Sequence, residues 1–286
     1  MGKSRATKRE AVHALNHFMK LMSALVRVEC KKSGGQSSIG TGFIVGNGNF
    51  AVTAFHVVED AVEVKVVRYH VLKGPEEANA VNYPREIVVD TWTKGAYLIG
   101  QKKDATEPLK TDGSILIEIP ESGTEPLWKI DVSIMHLKET FSYIVPLEFD
   151  SEPARVGEDV LFIGYPGGGV EFKTEYQGFH PNPLLSKAII SFAVGYGVPP
   201  VVEYYYWLDR PSFPGLSGAP VLRVKTGKVI GVVSATPFMP KQIKAESGHF
   251  DVMIPDGYSV VFGTRMVREA VEHYIRADQR NAERSS

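Results

Sequence analysis

The sequence predicts an all-β protein, a sandwich or a barrel, with one helix before the strands and one after them. Three observations carry that prediction. From residue 24 onward, short runs rich in Val, Ile and Phe follow one another, separated by Gly, Asn and Pro. Two turns, Gly46-Asn47-Gly48-Asn49 and Lys225-Thr226-Gly227-Lys228, carry hairpin chemistry. Apolar residues at three- and four-residue spacing are confined to the two ends of the chain.

The first end, residues 6–23, places Val12, Leu15, Phe18, Met19 and Met22 on one helical stripe, opposite Lys8, Arg9, Asn16 and Lys20. Such a helix docks on the body of the protein and offers a contact for a regulatory partner or for self-association; a basic amphipathic helix also suits a membrane surface or a targeting peptide. His13 and His17 stand one turn apart within it, but no third ligand is nearby, so they read as solvated histidines. Strands follow at 24–30, 40–45, 50–54, 62–68, 86–91, 114–119, 131–137, 159–165, 187–192, 201–208, 219–224, 228–235 and 258–262. Residues 73–83, 100–113 and 237–256 are polar and read as loops. Met266, Val267, Ala270, Val271 and Tyr274 mark a closing helix over 264–277, frayed after Arg276 where the tail turns polar.

Composition narrows the class. The chain has 286 residues, 43% of them hydrophobic and 23% charged, which suits one large domain or two packed halves. A net charge of −1 gives no field that would favour nucleic acid or an anionic membrane. Cys30 is the only cysteine, so no intrachain disulfide can form; it lies in an apolar run and reads as core. No secretory signal and no apolar run long enough to span a membrane is expected, and the cysteine usage favours the cytoplasm. The glycine-rich Tyr165-Pro166-Gly167-Gly168-Gly169 lacks the Lys and Ser/Thr of a phosphate loop.

Three residues carry candidate chemistry. Ser217 lies in the tight loop Phe213-Pro214-Gly215-Leu216-Ser217-Gly218, where glycines let the backbone turn sharply and gather its N–H groups. His56 follows an apolar strand. Asp131 heads another, in Asp131-Val132-Ser133-Ile134. Each alone has a structural reading. Together, in the order His, Asp, Ser, they are what acyl transfer needs: a nucleophile, a base to take its proton and an acid to hold the base. The N–H groups of Gly215 and Ser217 would then receive the oxyanion.

The ordered set resembles a family. Gly40-Thr41-Gly42-Phe43-Ile44-Val45, Thr53-Ala54-Phe55-His56-Val57-Val58 and Asp131-Val132-Ser133-Ile134-Met135 are similar to the histidine and aspartate regions of trypsin-like serine proteases, closest to the HtrA/Do-like branch. Val156-Gly157-Glu158-Asp159-Val160, Ile163-Gly164-Tyr165-Pro166 and Lys228-Val229-Ile230-Gly231-Val232-Val233 resemble segments of its second barrel, and Asp209 resembles an acidic position eight residues before the serine. The resemblance implies two six-stranded antiparallel β-barrels, organised as 1–23 (helix), 24–150 (first barrel), 151–262 (second barrel) and 263–286 (helix and tail). It implies a protein or peptide substrate, no metal and no organic cofactor. The substrate would add as a strand near Val233, Ser234 and Ala235. Pro211, six before the serine, puts no acid at the base of the specificity pocket, so a small or aliphatic residue is expected before the cut. Asp209 reads rather as a structural acid.

Departures are visible too. Leu216 and Ala219 stand where the family usually has an acid or Asn and a glycine. No PDZ domain is expected after residue 262. The 74 residues between His56 and Asp131 exceed the family's spacing, which implies an inserted hairpin or loops within 73–127 and leaves Asp112, in Asp112-Gly113-Ser114-Ile115-Leu116, as the other candidate acid. Two further readings stay open: a protease-fold module that binds peptide without cleaving it, and an enzyme held latent until the N-terminal helix or a partner orders the oxyanion loop.

Overall fold

The runs of β-branched residues close on themselves twice. The computed structural model describes residues 21–69, 85–92, 96–99, 115–118, 126–141, 144–166, 183–198, 201–245 and 248–285. A helical turn at 21–24 leads into β1 (Leu25–Lys32), β2 (Ser37–Val45) and β3 (Phe50–Thr53), then a single helical turn, α1 (Phe55–Val58), then β4 (Ala61–Arg68) and β5 (Arg85–Trp92). An excursion follows: β6 (Ala96–Ile99), β7 (Ile115–Glu118) and β8 (Pro126–Ile130) form a separate three-stranded sheet in the order β7-β6-β8. The chain returns as β9 (Ser133–Leu137), which closes the first barrel in the order β1-β2-β3-β9-β5-β4. Among the described residues, the excess length between His56 and Asp131 thus includes an inserted sheet.

The second barrel is built from β10 (Asp159–Gly164), β11 (Leu184–Val198), β12 (Val201–Leu208), β13 (Pro220–Arg223) and β14 (Val229–Ala235). A hairpin, β15 (Phe238–Ala245) and β16 (Gly248–Pro255), then leaves the barrel as its own two-stranded sheet before β17 (Ser259–Gly263) closes the order β10-β11-β12-β17-β14-β13. Both barrels are antiparallel throughout, a chymotrypsin-like double barrel. The final element is α2 (Arg265–Ser285).

Each barrel has its own core, and a third core joins them. Val26, Val28, Ile44, Ala51, Val66 and Met135 fill the first barrel together with Cys30, whose thiol burial pushes up to about 11 against a hydrogen bond with Ser38. Val160, Phe162, Tyr206, Leu208 and Val221 fill the second. Between them, Leu25, Phe43, Val52 and Ile163 pack with Leu222 and Val232, and Met266, Val267, Ala270 and Val271 of α2 press into the same cluster. The linker is stapled by charge: Arg223 bridges Asp150 and Glu158, and its guanidinium also donates to the carbonyls of Glu152 and Pro153. Burial raises the pKa of Asp150 and Glu158, but the Glu152 backbone N–H and Arg223 at Asp150, and Arg223 and the Arg155 backbone N–H at Glu158, outweigh it and hold both carboxyls below their ordinary values.

Several expectations change. The segment 237–256 is the β15–β16 hairpin, not a loop; Pro240 argues against a central strand, but in a two-stranded sheet each strand keeps one open edge where proline is tolerated. The closing helix runs to Ser285, beyond the expected fraying point at Arg276. β11 is much longer than 187–192, and β6 and β8 were not anticipated. Most of the predicted helix over 6–23, the segment 73–83, and Asp112 lie outside the described residues. Among the described residues, no helix is long and apolar enough to cross a membrane.

Candidate active site

Strand pairing brings two of the candidates together. β3 and β9 are antiparallel, with Val52 opposite Ile134 and Thr53 opposite Ser133. Continued past the strand ends, that register sets Asp131 beside the turn that begins at Phe55. Phe55, Val57 and Val58 of that turn are buried, which anchors it and leaves His56 as its exposed side chain. Asp131 then takes His56 with both oxygens. Oδ2 lies 2.7 Å from the ring Nδ1, and Oδ1 accepts the His56 backbone N–H at 2.8 Å. The Ser234 hydroxyl also donates to Oδ2. Burial raises the Asp131 pKa, but the His56 ring, the Ser234 hydroxyl and the backbone N–H together outweigh it, and the carboxyl sits below its ordinary value.

Ser217 approaches from the second barrel. Its loop begins with a turn closed by the Leu216 N–H on the Phe213 carbonyl at 2.9 Å, with Pro214 second and Gly215 third at φ +90°. Proline followed by a residue at positive φ is the type II pattern, and only glycine takes that φ at little cost. Leu216 is wholly buried in the core of the second barrel. It is an apolar anchor that holds the loop down. After Ser217 the chain turns again at Gly218, φ +89°, whose N–H donates to the Val233 carbonyl at 2.7 Å. A Cβ at Gly218 would overlap the Thr41 carbonyl and the Thr53 hydroxyl, so glycine is what lets the two barrels meet here.

The Ser217 hydroxyl donates to the Ser234 carbonyl at 3.1 Å. Among the described residues it makes no hydrogen bond with His56, so Ser234 links the two halves: its carbonyl holds the serine and its side chain holds the aspartate. Neither the Gly215 nor the Ser217 N–H donates a backbone hydrogen bond among the described residues.

The predicted substrate positions divide. Val233 is buried, and both its backbone groups are taken by the serine loop through Gly218 and Ala219. The β13–β14 pairing ends at Pro220 opposite Val232, so from Ser234 through the exposed Ala235 that edge has no strand beside it among the described residues. Beyond Pro211, which is half-buried, Ser212 and Thr236 tie the two walls: the Ser212 N–H donates to the Thr236 hydroxyl at 2.8 Å, and the two hydroxyls lie 2.7 Å apart. Asp209 is structural, accepting the Ile189 N–H at 2.7 Å. Among the described residues, no group of three or more His, Cys, Asp or Glu side chains could hold a metal ion.

The side-chain roles of Ser234, Thr41, Ser212 and Thr236 were missed in the sequence. Their one legible signal was a small hydroxyl within an apolar strand or beside a glycine.

Residues 40–232 match a family model described as a trypsin-like peptidase domain. Two curated serine proteases of Mycobacterium tuberculosis are similar to part of the chain: MT3772 of strain CDC 1551 / Oshkosh and Rv3671c of strain H37Rv, each 36% identical over 91 residues. That stretch is 31% of this chain and spans about a fifth, 21%, of each relative's length. Among solved structures, the HtrA-type protease AlgW with a tripeptide aligns at a TM-score of 0.51 and 17% identity over 91% of this chain and 64% of that one. The active form of the Rv3671c protease aligns at 0.49 and 21%, over 86% and 78%.

Proposed function

Because the chain belongs to the trypsin-like peptidase domain family, we propose that it is a serine endopeptidase that cleaves protein or peptide substrates through an acyl-enzyme. In this reading Ser217 attacks the scissile carbonyl. His56 takes the serine's proton on Nε2 and then gives it to the leaving amine. Asp131 holds the ring with its proton on Nδ1 and stabilises the imidazolium. The N–H groups of Gly215 and Ser217 receive the negative charge on the carbonyl oxygen. Water then enters by the same route in reverse, and Ser217 leaves. No cofactor takes part. The substrate backbone pairs along the open edge of β14 at Ser234 and Ala235, as an added strand.

The observation that carries the reading is the two-point grip of Asp131 on His56, through the ring at 2.7 Å and the backbone at 2.8 Å. A carboxylate held this way fixes both the tautomer and the direction of the imidazole. The single buried Cys30 supports placing the enzyme in the cytoplasm. The test is hydrolysis of an unfolded protein by wild type and Ser217→Ala. Wild type is expected to cleave and the variant to be inert with an unchanged circular dichroism spectrum; equal cleavage by both would sink the proposal.

One observation favours a second reading. The Ser217 hydroxyl faces the Ser234 carbonyl and not His56, as in a protease-fold module that binds peptide without cutting it. Catalytic hydrogen bonds often form only with substrate in place, so turnover separates the two readings. Peptide binding with no cleavage under any condition would favour the module.

A further inference from the structure

Thr41 is a wholly buried residue of β2, in the first barrel, and all of its polar groups are engaged. Its N–H donates to the Ser217 carbonyl at 2.8 Å. Its hydroxyl donates to the Gly215 carbonyl at 2.7 Å and accepts the Tyr165 N–H at 2.9 Å. Its own carbonyl accepts the Thr53 hydroxyl at 2.7 Å. With the Tyr165 N–H on the oxygen, the hydroxyl's single proton is left for Gly215.

These bonds fix peptide planes, because each carbonyl and the following N–H move as one rigid unit. The plane from Gly215 to Leu216 is held at both ends, by Thr41 on the carbonyl and by the Phe213 carbonyl on the N–H. The next plane is held by its carbonyl, which accepts the Ala219 N–H, and its free end is the Ser217 N–H. The plane after that is again held at both ends, by Thr41 on the Ser217 carbonyl and by Val233 on the Gly218 N–H. Gly215 has no Cβ to resist rotation, so its own N–H keeps its direction only while the adjoining plane is held.

The geometry points to Thr41 as a positioning residue for catalysis: from the first barrel it holds the Gly215 and Ser217 carbonyls, and so the two peptide planes that flank the one carrying the Ser217 N–H, the first of which also adjoins the plane carrying the Gly215 N–H. This inference rests on the serine-peptidase reading above. It assigns a catalytic consequence to a side chain that touches neither His56 nor Asp131. At the site the barrels are thereby joined through the Asp131–Ser234 bond as well as through Thr41.

The experiment is the second-order rate of labelling by a fluorophosphonate, whose phosphoryl oxygen occupies the place of the oxyanion. Thr41→Val preserves shape and removes the hydroxyl; it is expected to slow labelling about 10- to 100-fold, short of the loss of a whole oxyanion donor, while Thr41→Ser restores it to within about threefold. The pH midpoint of the labelling rate stays where it is in wild type, because the His56–Asp131 pair is untouched. Thr41→Cys, with a weak donor of similar size, is expected to fall between and keeps the test open if the valine variant does not fold. Wild-type labelling by Thr41→Val or Thr41→Cys, or failure of Thr41→Ser to restore the rate, would overturn the role of Thr41 alone. Absence of labelling in the wild-type protein itself would overturn the peptidase reading and this inference with it.

Discussion

Replacing Asp131 by Asn tests the link between the acid's geometry and the chemistry. The Asp131 carboxylate accepts three donors: the His56 backbone N–H on Oδ1, and the His56 ring and Ser234 hydroxyl on Oδ2. An asparagine has one acceptor oxygen. If that oxygen keeps the backbone bond, the amide NH₂ faces Nδ1 and donates to it. The ring proton then moves to Nε2, which can no longer take the proton of Ser217. If the amide turns over, the NH₂ faces the His56 backbone N–H, and two donors oppose each other. Either way the base is lost or misplaced, with the surrounding core unchanged. By the behaviour of Ser-His-Asp triads, Asp131→Asn should lower kcat about 10⁴-fold, about 5 kcal/mol of barrier, with little change in KM. Steady-state hydrolysis at neutral pH measures this, with thermal unfolding as a check on folding. Asp112→Asn, made in parallel, is expected to keep the wild-type rate. An Asp131→Asn enzyme within tenfold of wild type, or a large loss in Asp112→Asn, would show that Asp131 is not the acid that holds His56.

Other perturbations follow from the same contacts. Ser234→Ala removes a donor to a charged oxygen and should cost about 1.5–3 kcal/mol in denaturant unfolding at neutral pH, with a smaller rate loss than Asp131→Asn. Gly218→Ala forces a side chain onto a residue at φ +89° and into the Thr41 carbonyl; a loss of more than about 2 kcal/mol is expected, together with slower labelling of Ser217. Asp131, Asp150 and Glu158 all have lowered pKa values in the folded state, so their contribution to stability is present above the ordinary carboxylate range, about pH 4, and is lost as pH falls through the lowered values. Unfolding free energy measured from pH 6 downward should therefore fall on acidification, and a flat profile would contradict the ion pairing. Arg223→Met should remove about 3 kcal/mol or more by leaving two carboxylates without their partner; an effect under about 1 kcal/mol would show that the staple is weak.

Local signals made much of the molecule legible. Many of the barrel strands were visible as runs of Val, Ile and Phe between turn residues, β13–β14 as two such runs around Lys225-Thr226-Gly227-Lys228, while their closure into two barrels was only what the family resemblance implied. His56, Asp131 and Ser217 stood out because each sits at the end of a strand or in a glycine-rich turn, in an order that chemistry recognises. What stayed hidden depends on long-range pairing. The long interval after His56 kept Asp112 in play beside Asp131, which was preferred for its distance to the Pro146 and Gly157 segments; the β3–β9 register is what sets Asp131 beside His56. The hydroxyl of Ser234 meets a carboxylate more than 100 residues away, and that of Thr41 meets a carbonyl 174 away. The β15–β16 hairpin was masked by Pro240 and by the charged residues of its strands, which break a clean alternation. A four-residue helix such as α1 is shorter than any periodicity can reveal.

In the proposed mechanism Ser217 is a nucleophile activated by His56. Its most direct test is to treat the protein with a fluorophosphonate and locate the adduct by tandem mass spectrometry. A single adduct on Ser217 is expected, lost in His56→Ala as well as in Ser217→Ala. An adduct on another residue, or labelling of Ser217 that survives His56→Ala at the wild-type rate, would contradict it.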